Sequence, residues 1–378
     1  MKKTTKKPLK VLKTKSEQTP KKVLVTGAAG FVGHHLVEQI LKTTDWSVTT
    51  LDRLDTSGNL NRLVGINVWE NEKHRVKVVY HDLRAEISDS VARSLGGPFD
   101  YIIHLAAGSH VDRSIEDPML FFMDNCIGTV NLLNYARKGG LKPKKNVDPQ
   151  ARTPVFEGKF QYFSTDEVFG PADEGVAFKE WDRNNPNNPY AAAKAAGEMA
   201  AIAFAATYRM PVFITNCMNI FGERQNQEKF IPLIINKVLS GDTLYIHANR
   251  NKTQAGKRSY IHARNISAAS IWLLQHGKLL DGSASQGKYN IVGEKEVDNL
   301  ALAKLVGEYV NDYLKAKSKK PRPLKYEMVA FHASRPGHDM RYALDGSYLA
   351  KEGFTVPVAF EESLRKVVRW TMDHPEWL

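Results

Sequence analysis

The chain has almost no sulfur to crosslink: two cysteines, Cys126 and Cys217, in 378 residues, both in apolar settings. A pair like that builds no disulfide framework, and a reducing, cytoplasmic setting is expected. No apolar run is long enough to span a membrane, and no internal repeat or low-complexity body interrupts the chain. No metal site is expected. Acidic residues are short against basic ones, giving a net charge of +12. The first 22 residues, with nine lysines against Glu17, carry +8 of it. The segment lacks an apolar h-region, so it does not read as a secretory signal. It is expected to be a solvated, disordered extension. Nucleic-acid binding is not expected of the body and is left open only for this tail.

What is present is an alternation of strands and helices. Val23-Leu24-Val25-Thr26 reads as a buried strand, followed by Gly27-Ala28-Ala29-Gly30-Phe31-Val32-Gly33 and a helical stretch from His34 to Lys42. Strand, glycine turn and helix in that order place a pyrophosphate at the helix N-terminus. Gly27, Gly30, Phe31, Val32 and Gly33 are the candidate contacts. Ser47–Asp52 reads as a second strand ending in an acid 19 residues beyond Gly33. A carboxylate there accepts from ribose hydroxyls and repels a 2′-phosphate, which favours NAD over NADP. The neighbouring Arg53 would soften that preference.

Val76–Tyr80 and Tyr101–Leu105 read as third and fourth strands. Asp82 and Leu83 would lie near the adenine, and Leu105, Ala106 and Ala107 would leave room for the cofactor. A helix is expected over Pro118–Lys138, with Asn125 hydrogen-bonding across to the catalytic strand on the cofactor side. The pattern implies an α/β fold, a Rossmann-type doubly wound parallel sheet over 23–216, with an inserted loop at 142–158. A smaller substrate-binding domain is expected over 217–378, some of its strands returning to the sheet. An alanine-rich helix begins near Tyr190; with the Pro118–Lys138 helix it would form a homodimer contact.

Two stretches carry chemistry. Phe160–Phe163 reads as a strand and runs into Ser164-Thr165-Asp166-Glu167-Val168-Phe169-Gly170. Tyr190 and Lys194, four apart on a helix, share a face. A lysine beside a phenol is expected to lower the phenol's pKa and make it a usable base. With Thr165, that set oxidises an alcohol beside NAD. Asp166 and Glu167 are then extra, and an elimination needs one acid and one base. The competing reading is that Asp166 caps a turn and Glu167 is a surface charge.

These motifs, with His104-Leu105-Ala106-Ala107, Ser109–Ser114, Thr215-Asn216-Cys217, Glu228–Pro232, Tyr289-Asn290-Ile291 and Arg335–Asp339, resemble the extended short-chain dehydrogenase/reductases. The nearest resemblance is to nucleotide-sugar 4,6-dehydratases of the dTDP-glucose type. It implies that Tyr190 takes the C4-hydroxyl proton as hydride leaves C4, that Lys194 holds the nicotinamide ribose, and that Thr165 binds O4. It implies that Glu167 removes the C5 proton and Asp166 protonates the departing C6 hydroxyl. Ser109, Asn219, Glu228, Lys229, Arg258, Asn290, Arg335 and His338 resemble substrate contacts. The chain departs from the pattern at Gly108, Met218, Ile220 and Arg258–Asn265, all around the sugar and base pocket. A C4 epimerase, a decarboxylase and a non-catalytic NAD-binding scaffold are the competing readings.

Overall fold

The computed structural model describes residues 19–55, 57–145, 155–330 and 340–378. Strand β1 (Lys22–Thr26) has Val23, Leu24 and Val25 fully buried. A strand sealed on both faces sits centrally in a sheet covered by helices. β1 lies between β2 (Ser47–Asp52) and β4 (Tyr101–His104), with β3 (Val76–Tyr80) beyond β2. On the other side β5 (Lys159–Thr165) and β6 (Val212–Cys217) follow β4. Every one of these pairings is parallel.

The chain then leaves the sheet for β7 (Asn219–Phe221), β8 (Thr243–Ala248) and β9 (Lys257–His262). It returns as β10 (Lys288–Ile291), parallel to β6, which makes the sheet seven-stranded in the order β10-β6-β5-β4-β1-β2-β3. β11 (Glu296–Asp298) and β12 (Lys325–Ala330) complete the second lobe, in a β11-β9-β7 sheet and a β12-β8 pair. This is the doubly wound α/β architecture. Its strand order reverses between β1 and β4, where such sheets open a crevice at their C-terminal ends.

Side chains alternate across the sheet, as a period of two requires. Ile103 and Phe213 join Leu36, Ile40 and Leu273 on one face, while Ile102, Val212 and Ile214 join Leu132 and Phe160 on the other. A separate cluster around Ile234, Leu244, Val306 and Leu364 holds the second lobe.

The helix read over Pro118–Lys138 runs as one helical course over those residues, and Gly139, at φ +126°, breaks it. It is interrupted by π turns at Met123–Ile127 and Ala136–Gly140. Asp117 caps it by accepting from the Leu120 N–H at 3.1 Å. The inserted loop at 142–158 has a hairpin base, with Lys144 N–H to Val155 O and Glu157 N–H to Lys142 O, each 2.9 Å. Most of the lysine tail, the tip of that loop, and Arg335 and His338 lie outside the described residues. Among the described residues, no helix is long and apolar enough to cross a membrane, and no His, Cys, Asp and Glu group could hold a metal.

Candidate active site

β1 passes straight into the glycine turn. Gly27 has φ +72°, and a Cβ there would meet the Ala106 nitrogen at 2.8 Å. At Gly33 a Cβ would stand 2.1 Å from the Gly27 carbonyl oxygen, so only glycine lets helix α1 (Phe31–Thr43) pack this close. Phe31, Val32 and Gly33, in the first turn of α1, line a cleft of about 810 Å³ above the C-terminal ends of β1 and β4. Leu105, Ala106 and Ala107 form its floor and Leu83 its side.

Asp52 ends β2 at the far corner. One oxygen, Oδ1, accepts from the Ala29 N–H at 3.0 Å, and the other, Oδ2, is buried with no partner. Desolvation pushes this carboxyl up to about 6, partly offset by the Ala29 and Ala28 N–H groups. An orphaned acceptor beside a glycine-lined helix N-terminus fits a dinucleotide whose ribose hydroxyls supply the missing donor. The residues present therefore suit NAD.

Asn125 differs from expectation. It does not reach the catalytic strand and does not line the cleft. Its carbonyl oxygen accepts from the Gly108 N–H at 2.8 Å and its amide donates to the Gly108 oxygen at 3.0 Å. It thus clamps the loop after β4, because the π turn aims position 125 at that loop. The sequence carries no signal for the π turn.

The other end of the cleft is acidic. β5 stops at Thr165, whose hydroxyl donates to Asp166 Oδ1 at 3.0 Å. The Tyr190 phenol hydrogen-bonds the same threonine. Glu167 receives the Asn188 amide at 3.1 Å. Asn188 also caps the Pro189–Tyr208 helix, accepting from the Ala191 N–H at 2.8 Å, so one side chain ties the start of that helix to Glu167. Tyr190 and Lys194 project from that helix, and the Tyr190 N–H is itself held by the Ser114 hydroxyl at 3.1 Å.

Desolvation pushes Asp166 up to about 6, and desolvation with the Asp166 charge pushes Glu167 up to about 7. Both carboxyls thus hold protons to higher pH than free carboxylates, which lets one serve as acid and the other as base. Lys194 corrects a second expectation. Burial brings it down to about 8, against the pull of Glu198. Its ammonium donates to the Phe163 carbonyl and lies 4.5 Å over the Tyr162 ring. The Tyr190 phenol is pushed above its usual value by desolvation first and Glu167 next. In the chain alone the phenol is therefore raised, not lowered.

On the opposite wall stand Asn219, Glu228, Lys229 and Arg258, with Ser109 at the rim. The Lys229 ammonium donates to the Ser109 carbonyl at 3.4 Å, and Glu228 lies 3.8 Å from both His110 and Arg113. Arg258 stacks 4.7 Å over the Tyr342 ring and donates to the Lys257 and Met340 carbonyls. Asn290 is not there. It is fully buried in β10, and its amide donates to the Phe178 and Asp345 carbonyls at 2.9 and 3.1 Å. Its strand returns to the sheet, which carries it away from the cleft. Asn299 occupies the wall instead, accepting from the Tyr260 hydroxyl at 3.1 Å, with Tyr245, His247 and Tyr342 around it. Asn299 follows directly on β11, the signal by which it could have been found.

A family model described as GDP-mannose 4,6 dehydratase matches residues 24–367. A dTDP-glucose 4,6-dehydratase of Escherichia coli is 33% identical over 373 residues, covering 94% of this chain and 95% of the relative. One from Neisseria gonorrhoeae is 34% identical over 357 residues, covering 94% and 96%. The solved Streptomyces venezuelae dTDP-glucose 4,6-dehydratase, with NAD and TYD bound, is 32% identical at a TM-score of 0.76, covering 94% of this chain and 98% of its own.

Proposed function

This chain belongs to the GDP-mannose 4,6-dehydratase family, and from that premise we propose that it is an NAD-dependent nucleotide-sugar 4,6-dehydratase. It takes an NDP-hexose to the NDP-4-keto-6-deoxy-hexose and water. The proposed substrate is dTDP-glucose, for which the relatives at 32–34% identity are named, with a UDP-sugar next. The observation that carries the reading is the adjacent pair Asp166 and Glu167, pushed up to about 6 and 7 in the same cleft as Tyr190. An oxidation at C4 needs only Tyr190, Thr165 and Lys194. An elimination across C5 and C6 needs an acid and a base as well.

When bound, NAD supplies the acceptor and later the donor of hydride. Tyr190 takes the proton of the C4 hydroxyl, and the Thr165 hydroxyl holds that oxygen. Lys194 turns from the Phe163 carbonyl to the ribose hydroxyls, where its charge lowers the phenol. Glu167 takes the C5 proton, acidic beside the new ketone, and later returns it. Asp166 gives its proton to the C6 hydroxyl as water departs. This division of labour follows the family resemblance. Lys229 and Arg258 face the substrate diphosphate, matching its charge.

A substrate deuterated at C4 is expected to give product with the deuterium at C6, read by NMR. Label returned to C4, or lost to solvent, would give the site to an epimerase or a decarboxylase instead.

We also propose a homodimer. The Pro118–Lys138 and Pro189–Tyr208 helices pack together and still expose Met119, Phe122, Ile127, Met199 and Tyr208. A second copy would cover this face as a four-helix contact. Light scattering is expected to return twice the chain mass; a single chain mass at micromolar concentration would remove the dimer.

A further inference from the structure

We propose that Asp124 sets the choice between NAD and NADP by locking the guanidinium of Arg53 away from the cofactor ribose. The inference rests on the NAD reading of this cleft and assigns a selectivity role to a residue one helix away from the glycine turn.

Arg53 follows Asp52 at the end of β2 and lines the cleft. An arginine at this corner is the group that accommodates a 2′-phosphate in NADP-binding sites of this fold. Here both ends of its fork are taken. Nη1 and Nη2 donate to Asp124 Oδ1 and Oδ2 at 2.5 and 2.8 Å, and Nε donates to Asp55 Oδ2 at 2.5 Å. Asp82 stands 3.8 Å from Nη1. A two-point arginine–carboxylate pair is the strongest geometry such a side chain has. Asp124 is well placed to keep it, because its side chain is only 5% exposed. The π turn at Met123–Ile127 points it at β2, and the absent side chain of Gly108 leaves it room, since a Cβ there would stand 3.3 Å from Asp124 Oδ2.

The charge at this corner agrees. Asp55, Asp82 and Asp124 lie within 3.9 Å of Arg53 or Arg84, Arg84 is itself paired with Asp82, and Asp52 lines the same corner. Four carboxylates against two guanidiniums leave net negative charge where a 2′-phosphate would sit. Asp52 offers an acceptor to a hydroxyl there and repulsion to a phosphate. Arg53 therefore does not soften the preference for NAD, as its position next to Asp52 implied.

The test measures the dissociation constants of NADH and NADPH by fluorescence titration on the full chain freed of copurified dinucleotide. D124N is expected to lower the ratio of the NADPH constant to the NADH constant by about tenfold or more, as a guanidinium released to pair with the 2′-phosphate allows. The double variant R53A/D124N is expected to lose that gain, because the gain requires the freed arginine. An unchanged ratio in D124N that still binds NADH overturns the proposal, as does a gain that survives in R53A/D124N. D124S is the second variant. Unfolding of both D124N and D124S would make Asp124 a structural residue and also overturn it. A full chain that binds neither dinucleotide would bring down the NAD reading itself.

Discussion

Glu167→Gln is expected to form reduced nicotinamide from substrate and then stop, with 4-keto-6-deoxy product falling about 10²–10⁴-fold, the usual worth of a positioned acid–base group. Glutamine keeps the Asn188 contact that Glu167 makes at 3.1 Å, so the shape of the cleft survives while the base is gone. Stopped-flow absorbance separates the two steps. Equal loss of both would end the division of duties between Glu167 and Tyr190. The same substitution is expected to raise stability at pH 8 and leave it unchanged at pH 4. The sign follows from linkage: Glu167 is raised from 4.5 to about 7, so between those values the folded chain holds a proton the unfolded chain has released. The carboxyl therefore costs stability progressively as pH rises through that window. Thermal melts of both proteins at the two pH values check it. A site that carries such a cost is one where chemistry, and not folding, selects the residue.

Lys288→Met is expected to destabilise the chain by about 3–5 kcal/mol, the penalty for a buried charge left without its partner. Lys288 Nζ lies 2.7 Å from Glu198 Oε1, with side-chain exposures of 3% and 0%. Glu198 also accepts from the Ser164 hydroxyl at 2.6 Å and from the Asn216 and Asn184 amides at 3.3 and 3.4 Å. The ammonium in turn lies 4.7 Å over the Phe169 ring. Three strands, β5, β6 and β10, thus meet on one carboxylate beneath the Ser164–Gly170 stretch. The double variant K288M/E198Q is expected to recover most of the loss, since replacing a whole buried pair is often near neutral. Urea titration of the three proteins reads the cycle. A cost under about 1 kcal/mol for Lys288→Met, an exposed-pair value, would show that water reaches the pair.

How far the sequence reads depends on how local each feature is. The glycine turn, Asp52 and the Tyr190–Lys194 pair are legible because each is decided within a few residues of one strand or helix. Parallel strands separated by helices likewise announce the sheet. Asn290 misleads because Tyr289-Asn290-Ile291 looks the same whether its strand edges the cleft or re-enters the sheet beside β6. Asn125 misleads because a π turn redirects it toward Gly108. Arg53 is held by Asp124, 71 positions away, so its sequence neighbour Asp52 gives the wrong impression of its role. The electrostatics of Tyr190 depend on desolvation and on where Lys194 points, and spacing encodes neither.

Beneath the cleft the two lobes are stitched together. His35 on α1 meets the Glu223 carbonyl at 3.1 Å, and His262, at the end of β9, meets the Glu223 carboxylate at 3.0 Å. Arg62 donates to the Arg224 carbonyl and Arg224 to the Gly65 carbonyl, while the Arg224 guanidinium lies 4.8 Å over the Trp370 ring. Burial holds His35 down at about 3 and lowers His262 too, so protonation does not loosen this seam near neutrality. Each of these hydrogen bonds broken by a hinge rotation would cost about 0.5–1.5 kcal/mol, more where a charge takes part. The angle between the lobes is therefore an expensive variable for natural selection to tune. Diversification toward other sugars is cheaper through single exposed side chains on the walls, such as Tyr245, which can change without disturbing the frame that holds the reaction.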